Sequence, residues 1–231
     1  MTDKPDTPAK LTPPPPKAPK PDWENKLAPP WAARVLVAHL QTKGLNLGVV
    51  WDPACSDMGL YKTLTSYGYQ TSVSDRYAAQ RHGMDAAYAI DFIDPNVPVG
   101  QNVVNSVVTM PPVAKSKYEV DGKKVTVNTM ARYTTNALQT ASQIVAMLVP
   151  LAAVSDKDMP DLRPNFIIIF EGKLNVHKDK RSKAASRTHY CWMVWVDPTT
   201  AQAAALPPFC EVIWAHAAQR EAYEKEEDYP A

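Results

Sequence analysis

Three aspartates stand at the ends of short apolar runs, in an order that suits the recognition of a nucleoside. Asp52 closes GVVWDPA (48–54) and opens DPACSDMGL (52–60), and Asp75 closes YQTSVSD (69–75), 23 residues later. A carboxylate at about that interval after a first strand-to-helix turn accepts two hydroxyl hydrogen bonds and so can hold a ribose. Asp91-Phe92 follows the next short apolar stretch and offers a carboxylate for an amino group and a ring for stacking, as an adenine requires. Pro111-Pro112, ending NSVVTMPP (105–112), would form a rigid wall beside them. Acidic residues at strand ends are often ordinary loop residues, so it is their joint order that carries the reading.

Such residues meet only if the strands run parallel, and the surrounding pattern supplies such strands. WAARVLVAHLQTKG (31–44) reads as an amphipathic opening helix with Trp31, Val35, Leu36, His39 and Leu40 on one side and Gly44 at its end. GLYKTLTSYG (59–68) reads as a helix after the first strand. YTTNALQTASQIVAMLVPLAAV (133–154) reads as a helix passing into a fifth strand around 144–149, and NFIIIFE (165–171) and HYCWMVWV (189–196) as a sixth and a seventh. Alternating strands and helices predict an α/β fold: a Rossmann-like, seven-stranded, mostly parallel sheet with helices on both faces. The carboxyl edge of that sheet is where a ligand would bind.

The 231 residues suffice for one core with appendages. Ten of the 22 prolines fall in residues 1–30 among lysines, so 1–27 reads as an extended arm with polyproline character, either solvated or ordered along a protein partner. Residues 28–210 then form the α/β domain, and 211–231, with a net charge of −4, an acidic C-terminal helix and tail. No apolar run is long enough to cross a bilayer and the first residues are no secretion signal, which points to the cytoplasm. Cys55, Cys191 and Cys210 form no C-x-x-C pair and read as reduced thiols. His189 with Cys191 reads as two residues on one strand face, so no metal site is expected.

These motifs resemble the class I S-adenosylmethionine-dependent methyltransferases, and within them the small adenine-N6 DNA methyltransferase-like proteins common in phages and prophages. The family's first motif, (D/E)PACGxGxL, is similar to Asp52, Pro53, Ala54, Cys55 and Leu60, with Gly59 the one glycine in the loop. APPWAARVLVAHL (28–40) resembles its proline-led opening helix, SDRY (74–77) its second acidic motif and DF (91–92) its adenine-contacting pair. TMPPV (109–113) resembles its catalytic (N/D)PP(Y/F/W) loop and HYCWMVWV its penultimate aromatic strand. The resemblance spans about residues 28–197. It implies that Asp52, Pro53, Ala54, Cys55, Gly59, Asp75, Asp91 and Phe92 hold S-adenosylmethionine, and that Met110, Pro111, Pro112 and Val113 line the acceptor pocket.

This chain departs from the family at the reacting centre. Ser56 and Met58 replace glycines that let the backbone approach the cofactor. Met110 and Val113 replace the amine-accepting Asn or Asp and the base-stacking ring. A thioether accepts hydrogen bonds only weakly and valine has no ring, so adenine methylation is expected to be weakened or lost.

The net charge is only +1, so any hold on DNA must come from local patches. Lys115, Lys117, Lys123 and Lys124 cluster around a predicted Asp121-Gly122 hairpin turn, and Lys178, Lys180, Arg181, Lys183 and Arg187 lie between the sixth and seventh strands. Both segments would leave the carboxyl edge as a phosphate-contacting rim, blind to sequence and sensitive to salt. Ordinary lysine-rich loops are the plain alternative. Two functions stay open: a methyltransferase of the DNA adenine-N6 type, and a non-catalytic binding or structural module of the same fold, such as a phage component.

Overall fold

The computed structural model describes residues 27–77, 88–113, 115–159, 163–174, 176, 188–225 and 228. The arm at 1–26 and the basic residues Lys178, Lys180, Arg181, Lys183 and Arg187 lie outside them.

Helix α1 (Pro30–Thr42) opens with proline at its first helical position, where the missing N–H costs nothing. It ends on Gly44 at φ +69°, whose N–H bonds the Gln41 carbonyl while that of Leu45 bonds the Leu40 carbonyl, a Schellman close. Strand β1 (Val50–Asp52) follows, then α2 (Gly59–Ser66), β2 (Thr71–Val73) and β3 (Val104–Thr109). Strands β4 (Ser116–Val120) and β5 (Lys123–Val127) form a separate antiparallel hairpin turning at Asp121 and Gly122, both at positive φ, as its two-residue turn demands. Helix α3 (Thr129–Thr140), capped by the Asn128 side chain, leads into β6 (Ala141–Pro150). Then come β7 (Phe166–Phe170), β8 (Tyr190–Val196), β9 (Glu211–Ala215) and helix α4 (Ala217–Tyr223).

The main sheet has seven strands in the order β2-β1-β3-β6-β8-β7-β9, all parallel except β8. Its faces carry two cores by strict alternation. Ala146, Leu148, Trp192 and Val194 point to the side of α1 and α2, and Val145, Met147, Met193 and Trp195 to the side of α3.

Two elements differ from the sequence reading. Helix α1 is buried on nearly every side from Trp31 to Val37, because the sheet lies under it and α2 and α4 flank it, so a one-sided stripe does not describe it. The segment 211–215, read as part of an acidic helix, is a strand that extends the sheet beyond β7. Its β-branched and aromatic residues outweigh the single Glu211, which the Lys43 ammonium neutralises at 2.5 Å. No strand lies among the described residues of 88–103, so β9 completes the count of seven at the opposite edge.

The opening helix is tied to distant parts of the chain. The Trp31 ring stands edge-on to Phe170 at 5.2 Å, and the Trp192 indole N–H donates to the Ala32 carbonyl at 2.9 Å. The Arg34 guanidinium, buried, donates twice to the Asp228 carboxylate at 2.6 Å and once to the Tyr223 carbonyl at 2.7 Å.

Candidate functional site

Parallel pairing of β1 with β2 and β3 brings Asp52, Asp75 and Thr109 to one carboxyl edge, and the turn from β3 adds Met110 to Val113. Asp52 is 1% exposed. Its Oδ1 accepts from the Thr109 hydroxyl at 2.8 Å and from the Ala54 N–H at 3.2 Å, while its Oδ2 is buried with no partner among the described residues. Burial pushes the Asp52 carboxyl up to about 7. The nearby Asp75 and Asp57 carboxylates add to the rise, against the pull of the two hydrogen bonds. A carboxyl that can be neutral or charged near pH 7, with one oxygen unspent, can either accept from a cation or hydroxyl or donate a proton.

The loop after Asp52 turns through left-handed backbone at two non-glycine residues, Ser56 at φ +36° and Met58 at φ +67°. Each L-residue there costs about 1–2 kcal/mol. The path is held by the Cys55 N–H on the Ser74 carbonyl, the Met58 N–H on the Cys55 carbonyl and the Gly59 N–H on Asp57 Oδ1. At Gly59 a Cβ would sit 3.2 Å from both the Ala28 carbonyl oxygen and Asp57 Oδ1, a tight fit for any larger residue. The turn thus follows the path a glycine-rich loop would take, with side chains added at two of its corners.

Asp75 is buried at the end of β2, and its Oδ1 accepts from the Tyr77 N–H at 2.8 Å. Asp91 is spoken for: Oδ1 accepts from the Ile93 N–H at 3.3 Å, and Oδ2 from the Tyr118 hydroxyl at 2.9 Å and the Arg76 guanidinium at 2.9 Å. Half-burial and the Asp91 carboxylate push the Tyr118 phenol up to about 12, so it stays a donor. This contact pins the β4–β5 hairpin to the carboxyl edge. Phe92 is 4% exposed, its ring set against Trp51 at 5.1 Å and Tyr133 at 5.3 Å. Tyr133 of α3 donates to the Pro53 carbonyl at 3.4 Å, and burial, with Asp75, Asp91 and Asp52 close by, raises its phenol far above the usual range.

At the end of β3, Pro111 is buried, Pro112 and Val113 are exposed, and the Met110 side chain packs against the core on the α1 side. Lys115, Lys117, Lys123 and Lys124 are all exposed. Register places Lys117 and Lys124 on one face of the hairpin, with Glu119 directly opposite Lys124, and Lys123 on the other face with Tyr118. They do not make a single row. Among the described residues no cluster of three or more His, Cys, Asp or Glu could hold a metal ion. The Cys191 thiol is pushed up to about 12 by burial, which makes it unreactive.

Thr109, Trp51, Tyr118 and Tyr133 also belong to this site, and the spacing of the acidic residues does not reveal them. Thr109 was legible in principle: the last residue of a strand beside β1 must end near Asp52. Tyr118 and Tyr133 arrive from a hairpin and a helix whose docking no local spacing encodes.

No protein-family model matches the chain, and no curated protein does. Among solved structures, the chain is similar to a candidate class I S-adenosylmethionine-dependent methyltransferase from Listeria monocytogenes, at a TM-score of 0.51 and 14% identity. The match covers 82% of this chain and 65% of that one, so the chain spans less than two thirds of that protein's length. Likeness at this identity establishes the fold, a class I methyltransferase-type α/β sheet, and leaves activity to be argued from the site. No helix of the described residues is long and apolar enough to cross a membrane.

Proposed function

We propose that this is a methyltransferase-like protein of the DNA adenine-N6 type that keeps a nucleoside site and has lost the chemistry of methyl acceptance. The observation that carries the second half is Met110. At the position where the resemblance calls for an amine-accepting Asn or Asp, the partly buried Met110 side chain packs against the α1-side core and Val113 supplies no ring. Removing an electrostatic group aimed at a reacting centre costs about 10²- to 10³-fold in rate, before the missing stack is counted.

S-adenosylmethionine, when bound, supplies an activated methyl group. The residues present fit its ribose and amino-acid end. Asp52 has a buried Oδ2, unpartnered among the described residues, that suits a cation or hydroxyl, and Asp75 offers a carboxylate at the second strand's end. They fit the adenine end less well, since Phe92 has no open ring face and Asp91 would have to release Tyr118 or Arg76 to accept an amino group. Cytoplasmic DNA, held loosely by the hairpin lysines and the basic segment 173–187, is the partner we propose, with the proline-rich arm contacting a protein.

Calorimetric titration with S-adenosylmethionine and S-adenosylhomocysteine tests the first half, and methyl transfer from labelled cofactor to DNA tests the second. The expected result is micromolar binding, lost in Asp75→Ala, with no transfer by the natural sequence. No heat at millimolar cofactor would remove the nucleoside site, and rapid labelling of adenine would overturn the loss of chemistry.

A further inference from the structure

Among the described residues strand β9 ends the sheet, and nothing in its sequence protects that edge. Monomeric proteins blunt exposed edges with proline, lysine, bulges or short irregular strands. Residues 211–215, Glu-Val-Ile-Trp-Ala, contain no proline or lysine, pair with β7 in unbroken register, and spend their one charge on Lys43. Yet Val212 is 54% exposed and Trp214 55%, with Phe209, at 66%, just before them.

Backbone direction sharpens the point. The Glu211 N–H donates to the Asn165 carbonyl and the Ala215 carbonyl accepts from the Glu171 N–H, so Glu211, Ile213 and Ala215 turn their polar groups toward β7. Alternation then turns the N–H and C=O of Val212 and Trp214 outward. Both residues that face the open edge with their backbone therefore also expose an apolar side chain, and the two side chains share one face of the sheet.

We propose that β9 pairs antiparallel with β9 of a second copy of this chain, across a two-fold axis at Ile213, to make a continuous fourteen-stranded sheet. In that register Val212 of each copy stands opposite Trp214 of the other, twice by symmetry. These are the hydrogen-bonded positions of an antiparallel ladder, and each pair exchanges two backbone hydrogen bonds. A β-branched residue opposite an aromatic one is a favourable cross-strand pair. The net charge of +1 leaves little repulsion between copies. The chain's own arm is a poor occupant, because ten prolines in residues 1–30 deprive it of the N–H groups a ladder needs.

Light scattering of the full chain at about 100 μM should give twice the 25.5 kDa of one chain, and Trp214→Lys should return it to one. Register is read separately in the Cys210→Ser background. Proteins carrying Val212→Cys and Trp214→Cys should form a disulfide on mixing at least tenfold faster than either does alone, since Cα atoms about 5.5 Å apart suit the bond. A natural chain that stays at one mass, or that grows past two, overturns the proposal. So does a dimer indifferent to Trp214→Lys with equal cross-linking in mixed and unmixed samples.

Discussion

Replacing Asp52 with asparagine should change how stability depends on pH, in a direction opposite to that of most carboxylates. Burial lifts the folded Asp52 carboxyl from 3.8 to about 7. Between pH 4 and 7 the unfolded chain has released this proton while the folded protein keeps it, so stability is full below about 4, falls across that window and levels off above it. At about 1.36 kcal/mol per pH unit the fall amounts to about 4 kcal/mol. The asparagine side chain has nearly the same shape, can accept from Thr109 and Ala54 through its carbonyl, and does not titrate. Urea unfolding of both proteins from pH 4 to 8 isolates the effect of Asp52 and its coupling to Asp75 and Asp57, since carboxyls away from that site contribute equally to the two. The Asp52→Asn variant should gain about 4 kcal/mol relative to the natural protein between the ends of the range. Parallel curves, or a natural protein that gains on the variant as pH rises, would refute the reasoning.

Met58→Gly should stabilise the fold by about 1 kcal/mol in the same assay by relieving φ +67°, whereas Met58→Val should destabilise it; equal effects would mean that the loop is unstrained. Arg34→Ala leaves the Asp228 carboxylate without its guanidinium and should cost about 3–5 kcal/mol, with trypsin cutting at Arg220 and Lys225 in minutes where the parent resists. Tyr118→Phe frees one Asp91 oxygen of a competing donor and should tighten S-adenosylhomocysteine binding about 2- to 10-fold; weaker binding would place the ligand elsewhere. Met110→Asn with Val113→Tyr should create or raise methyl transfer to DNA, and a variant that binds cofactor without any gain would count against the acceptor position.

Much of this was legible in the sequence, because parallel strands leave strong local marks. Apolar runs ending in Asp52 and Asp75 placed β1 and β2, and the Asp121-Gly122 turn placed the hairpin. What local pattern could not give was the company those residues keep. Nothing near Phe92 says that Trp51 and Tyr133 enclose its ring, and nothing near Asp91 says that Tyr118, 27 residues on, donates to it. The charges of 211–231 hid a five-residue strand whose pattern is plain only once β7 stands beside it. Composition averaged over the whole segment outweighed the short run that decides the structure.

The ties on α1 also set a timetable for synthesis. Ala32 accepts from an indole 160 residues later and Arg34 pairs with a carboxylate 194 residues later. At about 5–20 residues per second, the helix made near the start waits about 10–40 s for its last partner. For most of that interval α1 has β1 and α2 beside it, while Trp31 lacks the Phe170 ring and Ala32 the Trp192 indole that meet them in the finished fold. A growing chain of this kind depends on whatever shields α1 at the ribosome, and slowed translation should cost it more yield than it would cost a protein whose corresponding helix packs only on its nearest neighbours.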